Sequence, residues 1–398
     1  MRFWHNGRSL VRSVLQRFSS LTKERENPMQ TSPVQWQSAA VYYYDEDKDA
    51  LILDCIQPLL QHLHPVVEQA FFVRHWLRGP HLRLRFLATE NQFEEEIKPV
   101  LEEQVGAYLR THPSVTQLDL EKLLPTYERL ALIEREEGPL LPLYPNNSIQ
   151  YLPYDRRLHV LKGDLLASIL EDFYVETNDL VYTMLEAVRQ GQSRLTLCLD
   201  LLFTTAQMTI YPITTGFISF RSHADGFIMR SADPDTLRSF FEEKYRCQAH
   251  QFTNRLRSLL QALEQERNDF PFVLAWADLM KRYWTRSQPL LEAGAINLTL
   301  GRTDALEYDK GMKARLNHST FHDHLYENSF MRQHLFHSVS FQGYRLALNL
   351  LYLHLTRLGI RPFERALLGH LAANTVEEVF NISAADLITW TPPGSLAS

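Results

Sequence analysis

Basic residues recur at every second position in one short segment of the chain. Segment 81–86 reads His-Leu-Arg-Leu-Arg-Phe. Side chains alternate between the two faces of a β-strand, so this sequence predicts a strand with His81, Arg83 and Arg85 on one face. Guanidinium groups at alternate positions of a strand form a rigid platform that suits carboxylates, phosphates or peptide carbonyls.

A second strand-like segment lies just before this one. Segment 70–76 contains Arg74, and the Gly-Pro pair at 79–80 indicates a turn between two strands. We expect Arg74 to join Arg83 and Arg85 in binding a substrate. The alternative is that these basic residues form the solvated face of a half-buried sheet, which is the commoner outcome of such alternation.

Tyrosines and arginines also meet in a loop before a predicted helix. Segment 151–157 reads Tyr-Leu-Pro-Tyr-Asp-Arg-Arg. Such junctions can place functional side chains beside a cleft, so Tyr151, Tyr154 and Arg157 are candidates. The alternative is a structural role, in which proline fixes the entry to the helix and Asp155 caps it.

A polar stripe follows the helix that we predict over residues 338–358. Its members recur at spacings of four and three: Ser338, Gln342, Arg345, Asn349, Tyr352 and Thr356. Long solvent-facing stripes usually carry Lys and Glu, whereas this one is uncharged except at Arg345. Uncharged hydrogen-bonding groups suit a peptide-lined cavity. If the stripe faces solvent, it has no functional meaning.

Histidines are frequent in the C-terminal third: His318, His322, His324, His334 and His337. His318 and His322 are four residues apart and could share a metal on a helix, but no H-E-x-x-H pattern or convincing third ligand accompanies them. We therefore expect a histidine-rich loop without a metal. The chain also lacks a G-x-S-x-G elbow and glycine-rich phosphate motifs, so we expect neither a nucleophilic serine nor a nucleotide cofactor.

The composition narrows the class of protein. The chain has 398 residues, of which 45% are hydrophobic and 22% charged, as in ordinary globular proteins. Its net charge of −6 argues against a nucleic acid as partner. The three cysteines have neither zinc nor disulfide spacing, and no apolar run reaches the roughly 18 residues that a membrane helix needs. These observations predict a cytoplasmic protein with no membrane partner.

The periodicity along the chain predicts an α+β fold. Strands and helices in the first third indicate a mixed or antiparallel sheet layer covered by helices, and the C-terminal half is mostly helical. We expect a single domain over residues 36–375, sheet-rich over 36–145 and mainly helical over 146–375. Residues 1–35 are basic and form a flexible tail or a targeting segment, and residues 376–398 form a C-terminal tail.

Three of these motifs, in this order, resemble the C-terminal domain of class I lanthipeptide dehydratases, which also occurs free-standing in thiopeptide maturation. The segments F-F-V-R-H-W at 71–76 and G-P-H-L-R-L-R-F at 79–86 are similar to the family's W-F-F-I-R-Y and G-P-H-L-R-L-R-F. Segment 151–157 is similar to Y-x-P-E-x-x-R, and segment 350–358 to the closing H-x-H-x-N-R-L helix. The resemblance extends over residues 38–375.

The resemblance implies action on a precursor peptide. In the dehydratases this domain eliminates glutamate from glutamylated Ser or Thr, and the arginines of the family match Arg83, Arg85 and Arg157. Its glutamate is replaced by Tyr154, and its catalytic histidine by Tyr352. A tyrosine, with a reference pKa of about 10, is a poor base for an elimination but a good donor to a developing oxyanion.

These departures favour the branch of the family that joins two dehydroalanines by a formal 4+2 cycloaddition. Loss of water and of the leader peptide then gives a six-membered nitrogen heterocycle and closes a macrocycle. Proximity and orientation would supply most of the rate, and the resemblance implies no cofactor. The catalytic candidates are Tyr352, Arg157, Tyr154 and His354. The peptide-binding candidates are Arg83, Arg85, His81, Arg74, Tyr151, Arg345 and Asn349.

Two other functions stay open. The chain could be a free-standing glutamate eliminase with a reassigned base such as His159 or His354, or a non-catalytic module that presents the peptide to other enzymes. In each case the expected partners are the leader and dehydrated core of a precursor peptide, together with other enzymes of the pathway. We expect the leader to add as a strand to an open edge of the sheet.

Overall fold

The computed structural model describes residues 33–298, 320–328 and 337–389. Their contacts divide the chain into two compact units. The sheet unit contains the described residues up to Gly191 together with Thr356–Gly359, and the helical unit contains the remainder. Three helices that follow residue 145 belong to the sheet unit, and the predicted division of the chain at residue 145 stays a prediction. Whether the two units form one domain stays a prediction.

Four antiparallel strands form one sheet, so the predicted α+β class is confirmed, with an antiparallel sheet. Their order in the sheet is β2–β3–β1–β4. The strands are β1 Gln35–Tyr42, β2 Gln69–His75, β3 His81–Ala88 and β4 Ser148–Tyr151. The sequence analysis missed β4, because a strand of four residues is too short to show a periodic pattern.

The β2–β3 hairpin has the predicted alternation. Its register pairs His75 with His81 and Phe71 with Arg85, so the basic side chains of β3 share one face. The turn depends on Gly79, whose φ is +117° and whose Cβ, if it had one, would lie 2.9 Å from the Tyr44 ring. Only glycine adopts this conformation without strain and leaves room for that ring.

Helices cover both faces of the sheet. Helix α1 consists of Asp49–Leu51, Ile52–Ile56 and Gln57–Leu63, and α2 of Glu90–Gln92, Phe93–Ile97 and Lys98–Thr111, each with a wider π turn in its middle part. The others are α3 Leu120–Glu134, α4 Leu158–Leu161, α5 Asp164–Glu176 and α6 Asn178–Arg189. Phe93 of α2 lies 6.2 Å from Phe86 on the apolar face, measured between ring centroids. Tyr174 of α5 stacks on Phe71 on the basic face, at 5.0 Å.

The helical unit is built around two helix pairs, α8 on α14 and α7 on α11. Its helices are α7 Arg194–Thr209, α8 Ile213–Met229, α9 Pro234–Arg246, α10 Ala249–Glu264, α11 Val273–Glu292, α12 Thr320–Glu327, α13 Val339–Arg357, α14 Pro362–Phe380 and α15 Ala384–Thr389. Helices α8 and α14 approach closely at Gly369, where a Cβ would lie 3.1 Å from the carbonyl oxygen of Phe220.

The C-terminal segment is part of the helical unit. Val376 of α14 and Ile388 of α15 are fully buried, so the prediction of a tail that begins at residue 376 is wrong as far as residue 389. Residues 390–398 and the predicted N-terminal tail up to residue 32 lie outside the described residues. None of the described helices combines the length and the apolarity needed to cross a membrane.

Candidate functional site

The basic face of the sheet is buried. His81 is 1% exposed and Arg85 is 5% exposed, so the alternative of a solvated face is wrong for these two residues. Tyr174 from α5 and Tyr144 from the loop before β4 pack over this face, the latter 4.8 Å from the Tyr42 ring. The fold therefore holds its arginines in an environment where charge is costly.

Arg85 lies beside a hydroxyl and an aromatic ring in this environment. Its Nη1 donates to Ser38 Oγ, and its guanidinium lies over the Tyr154 ring, 4.9 Å from the centroid. Among the described residues no carboxylate forms an ion pair with Arg83 or Arg85. Burial, followed by repulsion from Arg83, lowers the pKa of Arg85 to about 9. A buried cation without a counter-ion is expensive to maintain, and such groups occur where a ligand supplies negative charge.

His81 positions Arg83. Its Nδ1 is 2.7 Å from the carbonyl oxygen of Gly79, and its Nε2 is 3.2 Å from Nε of Arg83. A carbonyl only accepts and a guanidinium N–H only donates, so His81 is the neutral tautomer with the proton on Nδ1. Burial and the charges of His75 and Arg83 hold the pKa of His81 well below its ordinary value, in agreement with this hydrogen bonding.

Arg157 enters the same cluster from the start of α4. It has a left-handed backbone (φ 55°), and its N–H donates to Asp155 Oδ1 over 2.7 Å. Its Nη1 lies 3.2 Å from Glu136 Oε1, and its Nη2 donates to the carbonyl oxygen of Glu134. Unlike Arg85, Arg157 is therefore neutralised by the protein itself.

Tyr154 lies at the position of the family's glutamate, and a carboxylate from α5 approaches it. Its hydroxyl donates to Glu171 Oε1 over 2.9 Å, and Arg156 Nε donates to the same oxygen over 2.8 Å. Burial and the Glu171 charge raise the pKa of Tyr154. Tyr154 is consequently a neutral phenol at physiological pH, which argues against a role as the base.

One group of side chains in the sheet unit has metal-type ligand atoms. The ligand atoms of His75, Glu134 and Glu136 lie within 4.8 Å of one another. However, Glu136 already pairs with Arg157, and Glu134 Oε2 accepts from Trp76 Nε1 over 3.0 Å. The cations around the group further oppose a divalent ion, so we do not assign a metal here.

Two predicted binding residues lie away from the basic face. Arg74 pairs with Leu82 in the sheet register and so lies on the apolar face, where its Nη2 is 2.6 Å from Asp49 Oδ1. The expectation that it extends the platform is wrong, because Arg74 and His75 are consecutive and point to opposite sides. Tyr151 is also on that side, and its hydroxyl donates to Glu102 over 3.2 Å.

In the helical unit, Tyr352 meets a residue that the sequence analysis did not select. Its hydroxyl oxygen is 2.5 Å from Nδ1 of His223 on α8, and the ring centroids are 5.1 Å apart. The guanidinium of Arg365 lies over the Tyr352 ring, 5.1 Å from its centroid. Burial raises the pKa of Tyr352, although Arg365 opposes this effect.

His223 keeps an exposed edge while protein surrounds its other sides. Burial by these neighbours, then the charges of Arg365 and Arg345, lower the pKa of His223 to about 3. The pair is therefore a neutral imidazole and a neutral phenol at physiological pH. Arg345, a predicted binding residue, belongs to this group.

Two further residues of the polar stripe, and His354 beside the stripe, have different environments. Gln342 is buried and accepts from the N–H of Leu298 over 3.1 Å, whereas Asn349 is exposed. His354 is fully buried, with its ring 4.7 Å from that of Trp276. His354 thus lies in the core of the helical unit in this structure, and its catalytic role stays a prediction.

Two of the five histidines, His318 and His334, lie outside the described residues. His322 is described and contacts α8, with Nε2 3.0 Å from Ser222 Oγ and Nδ1 3.7 Å from Asp225 Oδ2. These contacts attach α12 to α8.

The sequence analysis missed His223, Glu136 and Glu171. Helix α8 was not predicted because Thr, Gly and Ser are frequent in it. The spacing of its buried residues, Phe217, Phe220, Ala224 and Ile228, was the signal that could have found it. The carboxylates had no such signal, because their partners lie up to 21 residues away in the chain, as for Arg157 and Glu136.

Comparison with known proteins agrees with the motifs. Residues 36–376 match the family model described as lantibiotic biosynthesis dehydratase C-term. The solved structure "Pyridine synthase, TbtD, from thiomuracin biosynthesis" is 32% identical, with a TM-score of 0.69, covering 88% of this chain and 100% of that chain. The structure of TsrL is similar in fold, with 21% identity and a TM-score of 0.68, covering 91% and 99%. No match was found among proteins of curated function. The chain thus belongs to the family of lantibiotic biosynthesis dehydratase C-terminal domains.

Proposed function

We propose that the chain joins two dehydroalanines of one precursor peptide into a six-membered nitrogen heterocycle, with release of the leader peptide. The observation that supports this function is the 32% identity with a pyridine synthase, which the alignment covers over its full length. The replacement of the family's glutamate and histidine by Tyr154 and Tyr352 also favours cyclisation over elimination.

The proposed reaction balances without an oxidant. The amide before one dehydroalanine becomes its imidic acid, which moves a proton from nitrogen to oxygen. Two carbon–carbon bonds then form, one between the β-carbons of the two dehydroalanines and one between the imidic carbon and the α-carbon of the second dehydroalanine. The imidic hydroxyl leaves as water, and the leader leaves as its carboxamide, which makes the ring aromatic. The protein has to hold the reacting alkenes together and to stabilise the amide oxygen as it gains charge.

In the sheet unit, neither Arg83 nor Arg85 forms an ion pair with a carboxylate of the described residues, although the Glu136 charge acts on Arg83. We assign them to the binding of carbonyl or carboxylate groups of the peptide. Arg157 pairs with Glu136 and therefore attracts an anionic group of the peptide less strongly. We assign it to the packing of the arginine cluster. His81 acts through Arg83, since its Nε2 accepts from the guanidinium.

In the helical unit, Tyr352 is the proposed hydrogen-bond donor to the amide oxygen. Its raised pKa keeps the phenol protonated, as this role requires. Arg345 and the exposed Asn349 on the same helix are proposed contacts of the peptide.

Strand β4 is the proposed edge for the leader peptide. The opposite edge strand, β2, has at least one carbonyl occupied, because Asn178 Nδ2 donates to Ala70 O over 2.7 Å. Beside β4 a groove of about 380 Å³ is lined by residues of β4 and α2, among them Ile149, Tyr151 and Gly106. An extended peptide that pairs with β4 could place side chains in this groove.

Separate dehydration of Ser residues must supply the dehydroalanines, so the enzymes that perform it are the partners that this proposal requires. The absence of zinc and disulfide spacing among the three cysteines is consistent with reaction in the cytoplasm.

Mass spectrometry with two synthetic precursor peptides tests the function. One peptide carries two dehydroalanines behind a leader, and the other carries a glutamylated serine. Loss of water and release of the leader from the first supports the proposal. Loss of glutamate from the second, with the first unchanged, supports the eliminase instead. If both peptides bind and neither changes, the chain is a binding module.

Variants separate the proposed roles. Arg85→Gln should raise the KM for the first peptide by about tenfold or more, because a charged hydrogen bond to the peptide is lost. Arg257→Gln removes an exposed arginine of α10 and is the matched control. For the leader, Gly106→Leu places a side chain in the groove, and its Cβ would lie 3.2 Å from Arg110 Nη1. Reaction of a leaderless precursor as fast as the full precursor would exclude the β4 proposal.

A further inference from the structure

The groove beside strand β4 has opposite charges toward its two ends. At one end the Tyr151 hydroxyl donates to Glu102 in the middle of α2, over 3.2 Å. At the other end Asn147, just before β4, makes hydrogen bonds of 2.8 and 2.9 Å to the backbone of Ser114, which follows α2. Strand β4 and helix α2 therefore run in opposite directions. The groove of about 380 Å³ between them has the Glu102 carboxylate toward one end and Arg110, from the end of α2, toward the other.

The guanidinium of Arg110 is available to a ligand. Arg110 is exposed, and it forms neither a hydrogen bond nor an ion pair with the described residues. A Cβ on Gly106 would lie 3.2 Å from Arg110 Nη1, so the missing side chain lets the guanidinium fold back over the groove. Lys98, near the Glu102 end, is instead paired with Glu94. The groove thus offers one unpaired cation.

Between the charged groups the groove is apolar. Ile149 of β4 and Leu109 of α2 line it, and Gly106 adds no side chain. The register of β1 with its two neighbours places Ile149 and Tyr151 on the apolar face of the sheet. An extended peptide that pairs with β4 would direct every second side chain to this same face, at intervals of about 6.6 Å. Its alternate side chains would therefore meet the apolar and the charged parts of the groove in turn.

The backbone of β4 is open to a further strand. No side chain of the described residues forms a hydrogen bond with the main chain of Ser148–Tyr151, whereas Asn178 occupies a carbonyl of the opposite edge strand. The two hydrogen bonds of Asn147 fix the start of β4 before any ligand binds. A groove that is already ordered loses little entropy on binding, which favours a short peptide.

We propose that this groove recognises the leader peptide by two side chains, an aliphatic one that packs on Ile149 and Leu109 and, two residues later, a carboxylate that pairs with Arg110. The inference rests on the proposed function, which places the leader at β4. Every strand pair of the sheet is antiparallel, and β4 runs from the Arg110 end toward the Glu102 end. A peptide that continues this pattern runs toward Arg110, which fixes the order. A carboxylate at the other end would be repelled by Glu102.

Binding of fluorescent nonapeptides to the full-length protein, measured by anisotropy, tests this inference without any turnover. The first peptide carries Leu-Thr-Asp at its centre, between uncharged Thr and Val residues. The others carry Leu-Thr-Lys, the reversed order Asp-Thr-Leu, and Leu-Thr-Thr-Asp, which moves the acid to the opposite face of the strand. We expect the first to bind about tenfold or more tightly than each of the others, as for one charged hydrogen bond. Equal binding of the four, tighter binding of the reversed order, or no binding of the first at about 1 mM would overturn the inference.

Two variants assign the preference to the groove. Arg110→Glu should reverse it, so that the Leu-Thr-Lys peptide binds about tenfold more tightly than Leu-Thr-Asp. Arg257→Glu, at an exposed arginine of α10, is the matched control and should keep the wild-type order. Gly106→Leu should abolish the advantage of Leu-Thr-Asp over Ala-Thr-Asp, because its side chain takes the space of the peptide leucine. An unchanged order in Arg110→Glu would overturn the inference.

Sedimentation measures the competing occupant, a second copy of the chain. A dimer that Arg110→Glu dissociates would show that β4 pairs between copies, and it would overturn the inference.

The inference and the proposed function fail in different ways. If a precursor with two dehydroalanines reacts equally well with Leu-Thr-Asp or Leu-Thr-Lys in its leader, the inference fails and the proposed function stands. If no heterocycle forms but the order of peptide binding and its reversal by Arg110→Glu are observed, the proposed function fails and the groove is still a peptide-binding site.

Discussion

The hydroxyl of Tyr154 and the Oε1 atom of Glu171 are joined by a hydrogen bond of 2.9 Å. Tyr154 occupies the place of a glutamate in the family motif, and Glu171 comes from α5, 17 residues later in the chain. The sheet unit thus keeps a carboxylate near this position. Arg156 and the Tyr154 phenol both donate hydrogen bonds to this carboxylate. This arrangement makes Tyr154 a support for the Arg85 guanidinium, whose charge lies over its ring.

The first prediction concerns this support. Tyr154→Phe removes a hydrogen bond to a charged group but keeps the ring under Arg85. We expect the free energy of unfolding to fall by about 1.5–3 kcal/mol, the usual contribution of such a bond. Urea unfolding measures the change. Heterocycle formation should fall far less than in Tyr352→Phe, and an equal loss in both variants would show that Tyr154 is catalytic.

The second prediction contrasts two buried arginines of the sheet unit. Arg357 Nη1 donates to Tyr174 O over 3.0 Å and to Thr177 Oγ1 over 2.9 Å, and its Nη2 donates to Asn178. Arg357→Met leaves these acceptors unpaired and should lower the free energy of unfolding by about 3 kcal/mol or more. Arg85 has fewer acceptors, so Arg85→Met should be neutral or stabilising by about 1 kcal/mol.

The same pair of variants separates function from stability. Arg85→Met should lose peptide turnover while the protein stays folded, as expected for a residue kept for binding at the expense of stability. Chemical denaturation and the dehydroalanine assay, run on the same samples, measure both quantities. If Arg85→Met destabilised the protein as much as Arg357→Met, Arg85 would be a structural residue and the platform would lose its proposed role.

Local patterns predicted the hairpin, and they could not predict the partners of its side chains. The period of two placed His81, Arg83 and Arg85 on one face because alternation is a property of the strand itself. The same rule excludes Arg74 from that face, since it is adjacent to His75, and our prediction overlooked this. The burial of the basic face, in addition to the apolar one, depends on helix α5, which no pattern in β3 encodes.

Of the two residues that meet in the helical unit, the sequence predicted Tyr352 and did not predict His223. The spacing of the polar stripe identified Tyr352, because it is a property of one helix. Its partner His223 is 129 residues away on a helix that the composition concealed. His354 lies two residues after Tyr352 and off the stripe, and it is fully buried, so the spacing of the stripe separated the more accessible Tyr352 from this core residue.

The third prediction concerns pH. The pKa values of His75 and His81 lie well below the ordinary value in the folded protein, whereas unfolded histidine has a pKa of about 6.5. As pH falls, the unfolded chain therefore takes up these protons first, and stability is lost below about pH 6.5. Each histidine contributes up to about 1.4 kcal/mol per pH unit in that range.

His81→Asn tests the contribution of one group, because asparagine can still donate to Gly79 O but cannot be protonated. The slope of the free energy of unfolding between about pH 6.5 and 5 should decrease by nearly one proton. Urea denaturation over this pH range measures the slope, and His250→Asn, at an exposed position, should leave it unchanged. An unaltered slope in His81→Asn would mean that His81 is protonated in the folded protein, contrary to its hydrogen bonds.

The fourth prediction compares two glycines of α8. A Cβ on Gly216 would lie 2.7 Å from Ile210 Cγ2 and 3.0 Å from Ala206 Cβ, so Gly216→Ala overpacks the contact of α7 with α8. We expect a loss of about 1–3 kcal/mol in the free energy of unfolding. At Gly226 the nearest atoms are 3.4 Å or more away, so Gly226→Ala should stabilise the helix by up to about 1 kcal/mol. Thermal unfolding of both variants measures the difference.

Because α8 carries His223, Gly216→Ala should also weaken heterocycle formation, and a fully active Gly216→Ala protein would indicate that the position of α8 is not critical for Tyr352.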